Sequence, residues 1–182
     1  MTFALEIRLA GEDELSTLSS VERDAAERFR GLDLMQETLL EQTLPRPMLE
    51  EACRAGRLWV AARPGGALLG FAHALLIDGA PHLNELDVRP QYWGRGVGSR
   101  LVEYVARWAA EHGWSGLTLS TFRDPEWNAP FYARRGFRIL EERELTPGLR
   151  ELRRREADLG LRVERRVIMR RALERLPRIC KT

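Results

Sequence analysis

Residues 83–112, LNELDVRPQYWGRGVGSRLVEYVARWAAEH, predict a strand, a glycine turn and a helix in immediate succession. Leu83 to Val88 alternates apolar and polar side chains, as a half-buried strand does, and Pro90 has no backbone N–H to continue a ladder. Gly94 and Gly96 then allow a tight turn. After the turn, apolar residues recur at helical spacing from Leu101 to Ala109. The stretch therefore predicts backbone N–H groups presented at a helix N-terminus.

That arrangement suits a phosphate, because the first N–H groups of a helix lack acceptors and the helix dipole adds positive charge there. Two common phosphate-binding loops do not match. No Lys-Ser or Lys-Thr follows the glycines, as a P-loop requires. The spacing of Gly94, Gly96 and Gly98 also differs from the Gly-x-Gly-x-x-Gly of dinucleotide-binding folds. The loop thus indicates neither ATP nor NAD.

Two motifs resemble the GNAT superfamily of N-acetyltransferases. Gln91-x-x-Gly94-x-Gly96 resembles the loop that holds the pyrophosphate of acetyl-coenzyme A in that family. The later segment NAPFYARRGF, residues 128–137, resembles the element in which a short helix carrying Phe-Tyr is closed by Gly-Phe. The resemblance covers nearly the whole order of predicted elements. The predicted helix at 147–159 is an addition between the last two strands.

The resemblance implies an α/β fold with a mixed, mostly antiparallel seven-stranded sheet, splayed central parallel strands and helices on both faces. Residues 1–182 are expected to form a single acetyltransferase domain. Hydrophobic alternation and turn residues place the strands at 3–9, 57–63, 67–77, 83–88, 117–122, 137–145 and 163–171. Helical patterns cover 15–29, 48–55, 101–109 and 147–159, and residues 32–43 fit either a helix or an ordered loop.

Transfer of an acetyl group to an amine needs a base for the amine and an acid for the departing thiolate. Glu85 is the candidate base, because some family members use a glutamate on this strand; the alternatives are a substrate-orienting or salt-bridged carboxylate. His82, expected at the solvent-accessible start of the strand, is a second candidate, and solvent is a third. Tyr132 is the candidate acid, since its position matches the family tyrosine near the coenzyme sulfur. Phe131-Tyr132 could equally be a core aromatic pair.

The resemblance also implies which residues bind acetyl-coenzyme A, the expected co-substrate. A backbone amide within Leu86, Asp87 and Val88 is expected to stabilise the oxyanion of a tetrahedral intermediate. The other expected contacts are Gln91, Trp93, Gly94, Arg95, Gly96, Val97, Gly98, Ser99, Asn128 and Tyr132. One position departs from the family pattern: Pro125 stands seven residues before Tyr132, where the family has asparagine. Asn128 could therefore cap the short helix instead.

Composition limits which classes of protein this chain can belong to. The chain is 44% hydrophobic and 31% charged, typical of a globular protein, with no apolar run of the ~20 residues that a membrane span needs. It opens without a signal-peptide pattern, and no histidine stands at metal-ligand spacing from Cys53 or Cys180. A cytoplasmic, metal-free protein is expected. All basic residues except Lys181 are arginines. Such a preference for arginine over lysine is typical of a GC-rich bacterial genome.

The leading functional hypothesis is an N-acetyltransferase that moves the acetyl group of acetyl-coenzyme A to a primary amine by direct attack. The alternative is a catalytically inactive module that binds or senses coenzyme A. The acceptor stays open among small amines, amino acids, antibiotics and protein N-termini. Residues 143–182 are basic but interspersed with acids and lack aromatic residues, which argues against nucleic acid. Family precedent leaves a homodimer as one option.

Overall fold

The structure, a computed structural model, describes residues 4–174. Seven strands form one mixed sheet in the order β1-β2-β3-β4-β5-β7-β6. The strands are β1 Glu6–Leu9, β2 Leu58–Ala62, β3 Leu68–Ile77, β4 Ala80–Val88, β5 Gly116–Phe122, β6 Arg138–Ile139 and β7 Arg166–Ala172. The helices are α1 Leu15–Ala26, α2 Arg46–Arg54, α3 Val97–Glu111, α4 Ala129–Ala133 and α5 Pro147–Asp158.

Most strand pairs are antiparallel, namely β1 with β2, β2 with β3, β5 with β7 and β6 with β7. Strands β4 and β5 are parallel, and their registered pairs are His82 with Thr118 and Leu83 with Leu119. Helix α3 is the crossover between them, as a parallel connection requires. The predicted seven-stranded α/β fold with central parallel strands is therefore confirmed. Within residues 4–174, no helix is both long and apolar enough to cross a membrane.

The chain divides into two compact units. The first comprises residues 4–75 and 84–104. In its core, one side of α1 and of α2 packs against β2 and β3; the buried residues include Leu18 and Val21 of α1, Leu49 of α2, Val60 of β2 and Phe71 of β3. Helix α2 begins at Arg46, two residues earlier than predicted, because Pro47 fits the first turn of a helix.

The second unit comprises residues 76–83 and 105–174. Its satellite core joins Leu149 of α5 to Leu140, Leu145 and Ile168. Helix α5 begins as predicted, with the Thr146 side chain accepting a hydrogen bond from the Leu149 N–H at 3.4 Å and Pro147 in the first turn.

Strand β4 begins three residues before the predicted Leu83. Asp78 and Gly79 both have positive φ, 50° and 75°, which is the backbone of a two-residue hairpin turn that joins the strands directly. The strand therefore starts at Ala80. His82 consequently lies inside the strand and not at its start.

The strand predicted at 137–145 is wrong in extent. Only Arg138–Ile139 pair in the sheet, and Glu142–Glu144 form a 3₁₀ turn. The Glu144 carboxylate accepts the Glu141 N–H at 2.9 Å and pairs with Arg138 at 2.6 Å. Such local side-chain bonds compete with a sheet ladder and here end the strand. The closing strand is also shorter than predicted, because Val163–Arg165 form a 3₁₀ turn before β7.

Candidate functional site

The glycine turn of the first unit has the backbone that the sequence predicted. Gly94 and Gly96 adopt φ of 71° and 81°, and α3 begins at Val97. The Arg100 N–H bonds to the Gly96 carbonyl at 3.1 Å, so the helical ladder starts at the turn itself. Apart from each glycine's chain neighbours, no described residue has an atom within 4 Å of a Cβ built on Gly94 or Gly96. The turn is thus open and exposed at a helix N-terminus, which fits a pyrophosphate.

Two side chains hold this loop in place. Arg89, just before the turn, donates from Nε to the Leu68 carbonyl at 3.1 Å and from Nη2 to the Ser20 hydroxyl at 2.8 Å, and forms an ion pair with Asp24. Trp93 donates from Nε1 to the Val88 carbonyl at 2.6 Å. The loop is therefore tied to β3, α1 and the end of β4.

The predicted coenzyme-binding residues differ in their exposure and in their position before, in or after the glycine turn. Gln91 is exposed and lies in the 3₁₀ turn Pro90–Tyr92 that precedes the glycines. Arg95 is exposed at the loop's tip. The ring of Trp93 is covered on one face by Arg28, whose guanidinium lies 4.2 Å from the ring centroid. Val97 is buried, and Gly98 and Ser99 lie within the first turn of α3.

Strand β4 carries two carboxylates on one face, Glu85 and Asp87. Asp87 keeps some exposed surface, yet its Oδ2 is buried and has no hydrogen-bond partner among the described residues. Burial raises the pKa of Asp87 well above its ordinary value, and the charges of Glu85 and Glu22 raise it further. Glu22 of α1 accepts the Leu44 N–H at 2.9 and 3.0 Å, and burial raises the pKa of Glu22 to about 7.

The structure corrects the expectation for His82. Its side chain is 1% exposed, so the predicted solvent access is wrong, and its Nδ1 lies 2.9 Å from the Thr118 hydroxyl. His73 of β3 is also fully buried, and its Nδ1 lies 3.3 Å from the Asn84 side-chain amide. Burial, and after it the positive charge of Arg57, lowers the pKa of His73 to about 4, so that histidine is neutral near pH 7.

Tyr132 and Asn128 belong to the second unit. Tyr132 is 8% exposed and packs edge-on against the rings of Phe131 and Phe137, with centroids 5.0 and 5.7 Å away. Asn128 precedes α4 but makes no side-chain capping bond, so that alternative is wrong. Its Nδ2 donates to the Thr121 hydroxyl at 2.7 Å, while its buried Oδ1 has no partner among the described residues. The amide oxygen is thus oriented and able to accept a hydrogen bond.

The model of the acetyltransferase (GNAT) family matches residues 21–137, which include the glycine loop, Glu85 and Tyr132. The chain belongs to the acetyltransferase (GNAT) family. The fold agrees with solved structures of this family. PaiA N-acetyltransferase from Thermoplasma acidophilum, in complex with coenzyme A, is 17% identical, with a TM-score of 0.69 over 93% of this chain and 99% of that one.

Two further structures have the same fold. Rv2747 from Mycobacterium tuberculosis, also in complex with coenzyme A, is 18% identical, with a TM-score of 0.66 over 93% of this chain and 99% of that chain. N-acetylglutamate synthase from Neisseria gonorrhoeae, with coenzyme A and N-acetyl-glutamate, is 23% identical, with a TM-score of 0.71 over 94% of this chain. This GNAT chain spans only 35% of that synthase. At these identities the likeness concerns the fold.

Two residues of this site escaped the sequence reasoning. Glu22 looks like any polar residue on an amphipathic helix, and only the folded chain brings the Leu44 N–H to its carboxylate. Gly70 interrupts a nearly continuous apolar strand, and a glycine inside a strand often marks a close approach of another backbone. That signal was available in the sequence, but it does not say which backbone approaches.

Proposed function

We propose that this protein is an acetyl-CoA-dependent N-acetyltransferase that passes the acetyl group directly to a primary amine. The observation that carries the proposal is the family match over residues 21–137 together with the open glycine turn at the start of α3. Acetyl-CoA would serve as co-substrate, and the acceptor would be a small-molecule or peptide amine. Its solved relatives include proteins in complex with coenzyme A, which supports the co-substrate.

The coenzyme would be held at its pyrophosphate by the loop from Gln91 to Ser99. Gly94 and Gly96 leave space beside the backbone, and the first N–H groups of α3 direct partial positive charge outward. Arg95, exposed at the tip, adds a full positive charge. The free acceptor Oδ1 of Asn128 would take an amide N–H of the pantetheine arm.

In the proposed reaction, the nitrogen of a neutral amine attacks the thioester carbonyl carbon and forms a tetrahedral intermediate. Its collapse breaks the C–S bond, so the amine loses one proton and the thiolate gains one. Glu85 would remove the proton from the amine, directly or through water. After burial, the charge of Glu85 raises the pKa of Asp87, so Asp87 holds its proton more readily and Glu85 would be the carboxylate that acts as the base.

Tyr132 would supply the proton to the thiolate. Its ring is fixed by contacts with Phe131 and Phe137, which limits the positions that the hydroxyl can take. A fixed donor loses little orientational freedom when the reaction occurs, and this is how general acids become effective. The oxyanion of the intermediate would be stabilised by a backbone N–H within Leu86, Asp87 and Val88.

The proposal is tested by measuring coenzyme binding and turnover separately. Isothermal titration with coenzyme A and acetyl-CoA should show saturable binding to the wild-type protein. Release of free thiol from acetyl-CoA should then depend on an added amine, and mass spectrometry should show that amine heavier by one acetyl group in place of one hydrogen. Binding without turnover across a broad panel of amines and peptides would instead favour the coenzyme-binding module. Absence of binding would contradict both functions.

A further inference from the structure

Gly70, the third residue of β3, lies against the backbone of β4 near the end of that strand. A Cβ built on Gly70 would lie 2.3 Å from the Asp87 carbonyl oxygen and 3.1 Å from both Cα and Cγ2 of Val88. Contacts of real Cβ atoms essentially never fall below 3.0 Å. Gly70 does not have the left-handed backbone that favours glycine. Glycine is therefore required here for space, and what fills the space is the carbonyl of Asp87.

The position of that carbonyl fixes the direction of a second group. The Asp87 C=O and the Val88 N–H belong to one peptide unit, and in a trans peptide these two bonds point in opposite directions. Residues 4–174 contain no cis peptide bond. Because the carbonyl oxygen lies over Gly70 of β3, the Val88 N–H is directed away from β3.

Hydrogen bonds on the following residues hold the end of β4 in place. The Arg89 N–H donates to the Leu69 carbonyl at 2.8 Å, which fixes the end of β4 against β3. The Val88 carbonyl accepts from Trp93 Nε1 at 2.6 Å, which fixes it to the glycine loop. These two bonds hold the next peptide unit, Val88–Arg89, and so fix the position of Val88 against β3 and the loop; the space beside Gly70 then receives the Asp87 carbonyl.

We propose that Gly70 is a positioning residue: by admitting the Asp87 carbonyl it aims the Val88 N–H, which is the donor to the oxyanion of the acetyl-transfer reaction. The inference rests on the proposed function and deepens it by choosing one amide among Leu86, Asp87 and Val88. A methyl group at residue 70 must push the Asp87 carbonyl away. Since the peptide is planar, the Val88 N–H then turns with it.

The test compares Gly70→Ala with Gly116→Ala. At Gly116 a Cβ would lie 2.6 Å from Arg170 Nε, a clash with a flexible side chain that can move aside. For Gly70→Ala we expect kcat with acetyl-CoA and an active amine to fall about 10²-fold, the usual effect of losing one oxyanion donor. The dissociation constant of coenzyme A, which carries no acetyl group, should change less than about 3-fold. Gly116→Ala should keep the wild-type kcat.

A glycine that served only packing would lower the unfolding midpoint of Gly70→Ala and leave turnover per folded molecule unchanged, which would overturn the proposal. If Gly70→Ala does not fold, replacement of Val88 by its α-hydroxy acid removes only the N–H and gives the same expected loss of kcat with coenzyme A affinity retained. The same replacement at Leu86 is the comparison. A loss at Leu86 and none at Val88 would assign the donor elsewhere. A wild type that binds coenzyme A and turns over no amine would contradict the proposed function, and with it this role.

Discussion

The stability of this protein should fall as pH rises through the titration of Glu22, and Glu22→Gln should remove most of that loss. Glu22 lies on α1, half-buried, with its carboxylate accepting the Leu44 N–H. Burial raises the pKa of Glu22 from 4.5 to about 7, although the Leu44 N–H and the charge of Arg23 act in the opposite direction. Burial therefore outweighs both favourable contacts.

The sign follows from proton linkage. Below pH 4.5 the carboxyl is protonated in both the folded and the unfolded chain, so ionisation costs nothing. Between pH 4.5 and about 7 the folded chain binds more protons than the unfolded chain, because the folded pKa of Glu22 is the higher one. Stability therefore falls across this interval and is lowest above it. At 1.36 kcal/mol per pH unit the loss is at most about 3 kcal/mol, and the partial exposure of the side chain reduces it.

Urea unfolding of wild type and Glu22→Gln at pH 5 and pH 8 measures this effect. Glutamine keeps an oxygen acceptor for the Leu44 N–H and carries no charge. From pH 5 to pH 8, the free energy of unfolding of the variant should rise by about 1–3 kcal/mol relative to that of the wild type. Glu41→Gln, whose parent side chain is 68% exposed in the loop between α1 and α2, is the control and should parallel wild type. An equal difference between Glu22→Gln and wild type at both pH values would refute the reasoning.

Three further variants test the proposed site. Gly96→Asp places a side chain and a negative charge where φ is 81°, so titration calorimetry should show coenzyme A affinity at least about 10-fold weaker in a protein with wild-type circular dichroism. Tyr132→Phe keeps the ring contacts and removes the hydroxyl, so kcat should fall about 10²-fold with little change in coenzyme A affinity; an unchanged kcat would mean a packing role. Glu85→Gln should abolish the low-pH limb of the pH–rate profile, whereas an orienting carboxylate would raise the KM of the amine and leave that limb in place.

The central strand, turn and helix could be predicted because local chemistry decides them. Pro90 ends the ladder of β4, and positive φ at Gly94 and Gly96 suits glycine wherever the turn lies in the fold. The start of α5 is local in the same sense, since Thr146 and Pro147 meet the demands of the first helical turn themselves.

The structure of the segment after Phe137 could not be predicted correctly, because a preference for a strand and a preference for a 3₁₀ turn compete there. Arg138 and Ile139 alternate as a strand does, and they do pair with β7. Glu144 then bonds to the Glu141 N–H and to Arg138, which curls the chain into a 3₁₀ turn. Hydrophobic alternation does not show that a carboxylate three residues ahead will capture a backbone N–H.

The candidate site likewise contains residues that motifs could predict and properties that depend on tertiary packing. Loop residues and Glu85 could be proposed from motifs, since a motif states which residue types a reaction needs. The neutral state of His73 could not, because burial and the nearby Arg57 cause it and both arise from tertiary packing. His82 shows the converse error: three extra residues at the start of β4 moved a histidine expected at the surface into the interior.

The glycines of this protein answer two different physical demands, and the difference separates coenzyme binding from chemistry. At Gly96 the demand is conformational: φ is 81°, but apart from the two chain neighbours no described residue has an atom within 4 Å of a built Cβ. At Gly70 the demand is spatial, because the backbone angle is ordinary and the Asp87 carbonyl occupies the position of the Cβ. The first glycine shapes a surface that faces a ligand, whereas the second shapes an interior that aims a backbone amide. Gly96→Asp should therefore change the dissociation constant of coenzyme A, and Gly70→Ala should change kcat. If both variants changed the same constant, the two glycines would not have these separate roles.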